Sequence, residues 1–319
     1  MTATDSANDI RITRLYDAPL ALVWEVWTVD AHVKQWWGPR GFSITTHSKD
    51  LRVGGTWVYT MHGPDGVDYP NYTRYLEVEP LKRLVYDHGA SSADSAPMFR
   101  VTATFREVGG QTELDMRMTL PTPQAAQDAR VFIKAAGGNA TWDRLGEHLE
   151  QTAHDRAVFV INRSFDAPIE TVFDMWTMPE HLVRWLPPTG FDMTYIRADV
   201  RVGASSFFSM SNGAMTMYGV SEYRVIQRPT RVEYVHWFAD ANEQLSRHPG
   251  APTWPDKMLQ TVHLVAEGAM QTRVTICTEV FGAATTEQKA VFAEARGGMT
   301  QGWTGSFDKL EVLVVGGTV

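Results

Sequence analysis

Two stretches decide the fold: ITRLYDAPLALVWEVWTVDAHVKQWWGPRGFSITTHSKDLRVG at residues 12–54 and INRSFDAPIETVFDMWTMPEHLVRWLPPTGFDMTYIRADVRVG at residues 161–203. They align without a gap at an offset of 149 residues, and 18 of the 43 aligned positions are identical. The identities include rare residues, since Trp27 and Trp36 match Trp176 and Trp185. Composition and periodicity alone do not produce so many rare matches in one register, so the chain contains an internal duplication.

The repeat extends in both directions from this segment. Further along, Tyr86 and His88 match Tyr234 and His236 after the register slips by one residue. The segment between the copies, residues 147–156, has none of the Gly, Ser or Pro that is typical of a flexible linker. We therefore predict two domains, residues 1–153 and residues 154–319.

Each repeat has the same order of periodic patterns. Alternation from Ile10 to Tyr16 predicts a strand, and Asp17-Ala18-Pro19 predicts a helix start with Asp17 as the cap. A second short helix follows, and a period-two pattern broken by turn residues then runs to about Leu120. After Pro121-Thr122-Pro123 a long helix is predicted to about Thr152. This order predicts an α+β helix-grip fold, in which a curved antiparallel sheet wraps around a long C-terminal helix and leaves a cavity.

Short motifs in both repeats resemble one superfamily. They are Phe-Asp-Ala-Pro at residues 165–168, Trp-x-x-Pro-x-Gly-Phe at 36–42, Asp-x-Arg-Val-Gly-Gly at 50–55 and Gly-Pro-Asp-Gly at 63–66. These motifs resemble the SRPBCC superfamily of START/Bet v 1-like domains, and are most similar to its branch of Hsp90 ATPase activator homologues. The second repeat departs at residues 203–205 and 211–213, where it lacks the paired glycines and shortens the turn. The branch includes hydrolases, cyclases, ligand carriers, chaperone activators and resistance proteins, so the resemblance implies a fold rather than an activity.

Composition excludes several classes of partner. The formal net charge is −8, and the Lys and Arg residues are scattered singly, so we expect neither nucleic acid nor a membrane surface as a partner. Cys277 is the single cysteine, which excludes an internal disulfide, and the histidines do not fall at metal-ligand spacings. With no signal-peptide core and no long apolar run, we expect a cytoplasmic protein without metal or organic cofactor.

Strand alternation predicts which side chains face the cavity. In the first domain these are Phe42, Thr46, Tyr59, Tyr69, Tyr75, Tyr86 and His88. In the second domain they are Phe191, Tyr195, Arg197, Phe208, Met210, Met217, Tyr223, Tyr234 and His236. We expect both sets to bind a ligand. Arg197 has two interpretations, because an inward cation either meets a polar ligand group or pairs with Asp199 or Glu222.

The same faces supply the candidates for catalysis. A Tyr-x-His pair recurs at matching positions of both domains, so Tyr86, His88, Tyr234 and His236 are candidate proton donors or acceptors. The alternative is a buried histidine with satisfied hydrogen bonds. The first arginines of the repeats, Arg14 and Arg163, are expected to form structural ion pairs.

One segment distinguishes the second domain from the first. Residues 238–258 are longer than their counterpart at residues 87–98 and place Trp254 among prolines. Long loops in compact domains are usually functional or disordered. We expect this segment to cover a cavity mouth or the junction between the domains, and we include Trp254 in the ligand site.

The predicted cavity leaves three functions open. The first is binding of a large hydrophobic molecule, a polyketide or polyene, with possible cyclisation, since tandem domains resemble the di-domain cyclases and START-like proteins of polyketide and enediyne gene clusters. The second is self-resistance by sequestering a toxic metabolite. The third is an Hsp90 co-chaperone-like interaction module, for which the protein partner is unknown.

Overall fold

A computed structural model describes residues 6–90, 92, 95–135, 140–153, 158–248 and 250–316. Its contacts divide the chain into two compact units, Met1–His154 and Asp155–Val319. Each unit contains one seven-stranded antiparallel sheet together with helices. The predicted α+β helix-grip class is confirmed for both domains.

The first domain begins with a strand and two short helices, as predicted. Its elements are β1 (Asp9–Tyr16), α1 (Leu20–Thr28), α2 (Asp30–Trp36), β2 (Ser43–Lys49), β3 (Thr56–His62), β4 (Asp68–Glu79), β5 (Arg83–Ala90), β6 (Phe99–Val108), β7 (Gln111–Thr119), α3 (Pro123–Ala135) and α4 (Ala140–Ala153). The sheet order is β1-β7-β6-β5-β4-β3-β2, so the first strand closes the sheet against the last.

The second domain repeats this order. Its elements are β8 (Val158–Phe165), α5 (Ile169–Thr177), α6 (Pro179–Trp185), β9 (Asp192–Arg197), β10 (Ser205–Ser211), β11 (Thr216–Gln227), β12 (Arg231–Ala239), β13 (Met258–Gly268), β14 (Gln271–Val280), α7 (Thr286–Glu294) and α8 (Arg296–Val315). The sheet order is β8-β14-β13-β12-β11-β10-β9, the same topology as in the first domain.

Two details of the helices differ from the expectation. The N-cap of α1 is Pro19, in an extended conformation without a side-chain cap, so Asp17 does not cap the helix. Proline fits this position because its fixed φ suits a helix start. In the second domain the predicted long C-terminal helix is two helices that meet at Ala295, just before Gly297 and Gly298. Glycine lowers helix propensity, which favours a break near such a pair. In the first domain residues 136–139, between α3 and α4, lie outside the described residues.

Tryptophans from the duplicated segment fill the core beside each sheet. Trp27 is 5% exposed and Trp36 is fully buried, and the Trp36 indole donates to the carbonyl of Val26 at 3.1 Å. Trp185 repeats this contact with the carbonyl of Met175 at 2.9 Å. The repeated tryptophans therefore serve as core residues in both domains, where large aromatic side chains contribute most to burial.

The expected ion pairs of the first strands are confirmed. Arg14 lies 3.5 Å from Asp143 of α4, and both side chains are almost completely buried. Arg163 lies 3.0 Å from Asp308 of α8 and also contacts Glu311. Each pair joins the first strand of a domain to its C-terminal helix, so the duplicated arginine fixes the helix against the sheet.

Candidate functional site

The first domain contains an apolar cavity of about 150 Å³ between the sheet and α4. Strands β3, β5, β6 and β7 supply most of its wall, and α4 supplies Trp142. Its apolar lining includes Trp37, Met61, Phe99, Val101, Met116 and Met118. The polar lining includes Tyr86 and His88, so the structure brings these two candidates together at one cavity.

His88 is a neutral imidazole at this wall. Its Nδ1 lies 3.2 Å from the hydroxyl oxygen of Thr73, and its ring centre lies 4.8 Å from that of Phe99. Burial lowers the pKa of His88 to about 4, so the ring carries no charge at neutral pH. Burial also raises the pKa of Tyr86 well above its usual value, with further contributions from Tyr75 and Tyr59. Both groups are therefore neutral.

Five other residues predicted for this cavity lie elsewhere. Tyr59 and Tyr75 are core residues, and the Tyr59 hydroxyl accepts a hydrogen bond from the Trp37 indole at 2.9 Å. Thr46 lies in the middle of β2, where it accepts a hydrogen bond from the Trp57 indole at 3.2 Å.

Phe42 and Tyr69 lie against each other, with ring centres 6.1 Å apart, and Tyr69 is 44% exposed. Alternation assigned Tyr69 to the correct face of its strand, but the residue lies near the strand end, where the structure leaves it open to solvent.

The second domain contains a cavity of about 160 Å³. The predicted residues on its wall are Phe208, Met210, Met217, His236 and Trp254. Further wall residues include Tyr218, Trp237, Phe238, Pro255 and Met258. Asp256 also lies there, and its carboxylate is paired with Arg247 at 2.7 Å. The cavity is therefore mostly apolar, and its acidic residue already has a cationic partner.

Trp254 belongs to the segment that is longer in the second domain. Its ring centre lies 5.8 Å from that of Phe292 in α7, and the residue lines the cavity. This part of the segment therefore contributes to the cavity wall, and its role in covering the cavity mouth stays a prediction. Another part of it, residues 242–244, lies by a separate polar groove beside Val220 and Glu222.

His236 differs from His88 in its hydrogen bonds. Its Nε2 is buried and has no hydrogen-bond partner among the residues that the structure describes. Burial lowers the pKa of His236 to about 4, as for His88. The wall of the second cavity therefore includes a neutral imidazole, one nitrogen of which has no hydrogen-bond partner among the described residues.

The other predicted residues of this domain lie away from the cavity. Tyr223 is a core residue, and Tyr195 and Tyr234 pack against the same core. Phe191 lies in the turn before β9.

Arg197 is also away from the cavity and pairs with Glu243, with Nη1 at 2.7 Å from the carboxylate. Its side chain is 45% exposed, which corrects the inward placement. Neither Asp199 nor Glu222 is its hydrogen-bonded partner, because the longer segment of this domain brings Glu243 to it instead.

Several wall residues were missed by the sequence prediction. In the first domain they lie on β6 and β7, where alternation through Val101 and Met116 would have indicated the inner face. In the second domain the missed residue Met258 is the first residue of β13, and alternation along that strand would likewise have indicated the inner face. Trp37 and Trp142 carry no such signal, because they reach the cavity from a turn and a helix.

Two kinds of feature are absent from the described residues. Within the described ranges, no group of three or more His, Cys, Asp or Glu side chains is arranged to hold a metal ion. None of the helices, over the parts of the chain that the structure describes, is long and apolar enough to cross a membrane.

Comparison with known proteins assigns the family. The family model described as Activator of Hsp90 ATPase homolog 1-like protein matches residues 17–150 and again residues 166–315. The chain belongs to this family. Both domains are members, so the predicted relationship of a tandem START/Bet v 1-like protein of this branch is confirmed.

Solved structures include similar single domains and one similar pair of domains. A protein from Nitrosomonas europaea is 26% identical, with a TM-score of 0.43, and the match covers 47% of this chain and 98% of that chain. A protein from Rhodobacter sphaeroides is 24% identical, with a TM-score of 0.42, over 48% of this chain and 99% of that chain. The di-domain ARO/CYC BexL from the BE-7585A biosynthetic pathway is 13% identical, with a TM-score of 0.40, over 96% and 98%. No curated protein matches the chain significantly.

Proposed function

We propose that this protein binds a neutral hydrophobic small molecule in the cavity of each domain. One observation carries the proposal: both domains have an apolar cavity with a neutral histidine at the same position of its wall, His88 or His236. Apolar pockets with a few convergent polar groups are typical of small-molecule sites. The apolar wall contributes affinity and the histidine orients the ligand.

The cavity volume limits what enters. At about 150 and 160 Å³, each cavity has the size that accepts a single aromatic ring, whereas pockets for drug-sized ligands have about 300–1,000 Å³. The ligand we propose is therefore an aromatic ring, or one end of a longer polyene or polyketide whose remainder lies at the cavity mouth. This is smaller than the large ligand expected from the sequence.

Binding is favoured over catalysis by the ionisation of the polar groups. A histidine with a pKa of about 4 is a weak base at neutral pH, and burial raises the pKa of Tyr86 and Tyr234, which makes them weak acids. Efficient general acid–base catalysts have pKa values near the working pH. Any cyclisation would then come from confining a flexible chain, and sequestration of a toxic metabolite needs the same binding.

A ligand screen tests the proposal. Protein purified from its own host is analysed by native mass spectrometry, and the apo-protein is titrated with single-ring aromatics, polyenes, aromatic polyketides and fatty acids. We expect micromolar binding among aromatics and polyenes, lost when a cavity is filled by Val101→Trp or Met217→Trp. No binding by any class, together with tight binding to Hsp90, would instead support the interaction module.

A further inference from the structure

The second cavity contains an unsatisfied polar atom at its wall, the Nε2 of His236. Buried polar groups in folded proteins nearly always have a hydrogen-bond partner, so such an atom needs an explanation. A neutral imidazole can donate from one nitrogen and accept at the other, and the tautomer decides which role Nε2 takes. A ligand group that can both donate and accept therefore suits this position in either tautomer.

A second unsatisfied polar group, the side-chain amide of Gln260, lies on the same face of the sheet as His236. Gln260 is 2% exposed, its Oε1 accepts from the hydroxyl of Thr278 at 2.8 Å, and its Nε2 has no partner among the described residues. Rotating the amide by 180° exchanges its two ends, so one stays without a partner in either orientation. Gln260 lies opposite Tyr234, next to the pair of His236 and Met258, and opposed residues share a face.

The first domain is apolar at the corresponding positions. Val101 lies opposite Tyr86, as Gln260 lies opposite Tyr234, and Met118 takes the place of Thr278. Val101 and Met118 both line the cavity of the first domain. The two domains therefore keep the Tyr-x-His pair and differ in the neighbouring pair, which is Val and Met in one and Gln and Thr in the other.

We propose that the two cavities differ in ligand preference: relative to the first domain, the second domain favours an apolar molecule that carries one neutral hydroxyl group. The inference rests on the proposed function. The hydroxyl is bound by His236 at the wall. Gln260 lies one residue pair beyond the wall and is reached past Met258, whose flexible side chain can give way. An anionic ligand is disfavoured because none of the described residues that line this cavity is a cation that could pair with it.

The test uses two molecules of the same shape, p-xylene and p-cresol, which differ by a methyl or a hydroxyl group. Both are single rings of a size that these cavities accept. The full chain is labelled with ¹³C at the methionine methyl groups, which report on each cavity separately. Met210, Met217 and Met258 report on the second cavity, and Met61, Met116 and Met118 on the first.

The measured quantity is the ratio of the two dissociation constants in each cavity. Comparing this ratio between the two cavities removes the greater affinity of p-cresol for water, because that contribution is the same for both cavities. One net hydrogen bond corresponds to roughly a tenfold change in affinity. We therefore expect the ratio to favour p-cresol about tenfold more in the second cavity than in the first.

Three variants test which residues cause the preference of the second cavity for p-cresol. His236→Phe, and separately the double substitution Gln260→Val with Thr278→Met, should bring the ratio of the second cavity close to that of the first. His88→Phe is the matched control and should leave the ratio of the second cavity unchanged. Equal ratios in the two cavities of the unchanged protein would overturn this inference and leave the proposed function intact. No methionine shift with either molecule would overturn both.

Discussion

The duplicated arginines, Arg14 and Arg163, form ion pairs that differ in burial and should therefore contribute differently to the stability of the two domains. Arg14 and Asp143 are both almost completely buried, whereas the side chain of Asp308, beside Arg163, is 61% exposed. Removing one partner of a buried pair leaves an uncompensated charge. Removing a partner from an exposed pair costs little, because water and salt already screen it. Sequence alone predicted both ion pairs but not their burial, which depends on how the C-terminal helix packs.

A matched pair of substitutions tests this difference. We expect Asp143→Ala to destabilise the first domain by about 3–5 kcal/mol and Asp308→Ala to destabilise the second by less than about 1 kcal/mol. Glu311 also remains beside Arg163 after the second substitution. Hydrogen–deuterium exchange on peptides from each domain of the full chain measures both effects. Equal losses of stability in the two domains would contradict the idea that burial of the ion pair decides the cost of breaking it.

At the scale of elements, the sequence predicted well which face of a strand each side chain occupies. It predicted poorly which of the inward-facing side chains reach the cavity. Alternation placed Tyr59, Tyr75 and Tyr86 on one side of the sheet, yet only Tyr86 lines the cavity. Period-two patterning reports the direction of a side chain from its strand, but not how far along the strand the covering helix leaves space. That space is set by packing between distant residues, such as Trp142 of α4 against Trp27 with ring centres 5.6 Å apart.

Gly219 of strand β11 lies against an aromatic ring in the wall of the second cavity. A Cβ added at Gly219 would lie 2.5 Å from the Phe208 ring of the neighbouring strand, and both residues line the cavity. Gly219→Ala should therefore push the ring into the cavity and weaken binding of a single-ring aromatic about tenfold. Gly268→Ala, which meets open space, is the control and should leave binding unchanged. Isothermal titration with p-xylene measures both, and unchanged affinity in Gly219→Ala would mean that the ring moves elsewhere.

For the molecule as a whole, duplication is the property that the sequence revealed most completely. The 43-residue alignment predicted two domains of one fold, and the two sheets have the same strand order. The alignment did not reveal which inward-facing strand residues differ between the two domains. The exchange of Val101 and Met118 for Gln260 and Thr278 places polar side chains on the inner face, where they interrupt the apolar alternation of the two strands.

Both copies have half-buried histidines with lowered pKa values, and this gives the protein a predictable response to acid. Burial lowers the pKa of His88 and His236 to about 4, and burial together with neighbouring His32 does the same for His148. An unfolded histidine has a pKa of about 6.5. Between these two values the unfolded chain binds more protons than the folded chain, so stability rises with pH.

Stability should therefore be fully present above pH 6.5 and be lost progressively as the pH falls toward 4. The slope is at most about 1.4 kcal/mol per pH unit for each histidine, and partial solvent access reduces it. The double variant His88→Gln with His236→Gln should flatten the curve in this window, whereas His47→Gln, at an exposed position, should not. Thermal unfolding of the full chain at half-unit steps of pH measures the slope. A wild-type curve that stays level from pH 6.5 to 4 would show that folding does not lower the pKa of these imidazoles, and would remove the argument that they are too weakly basic for catalysis.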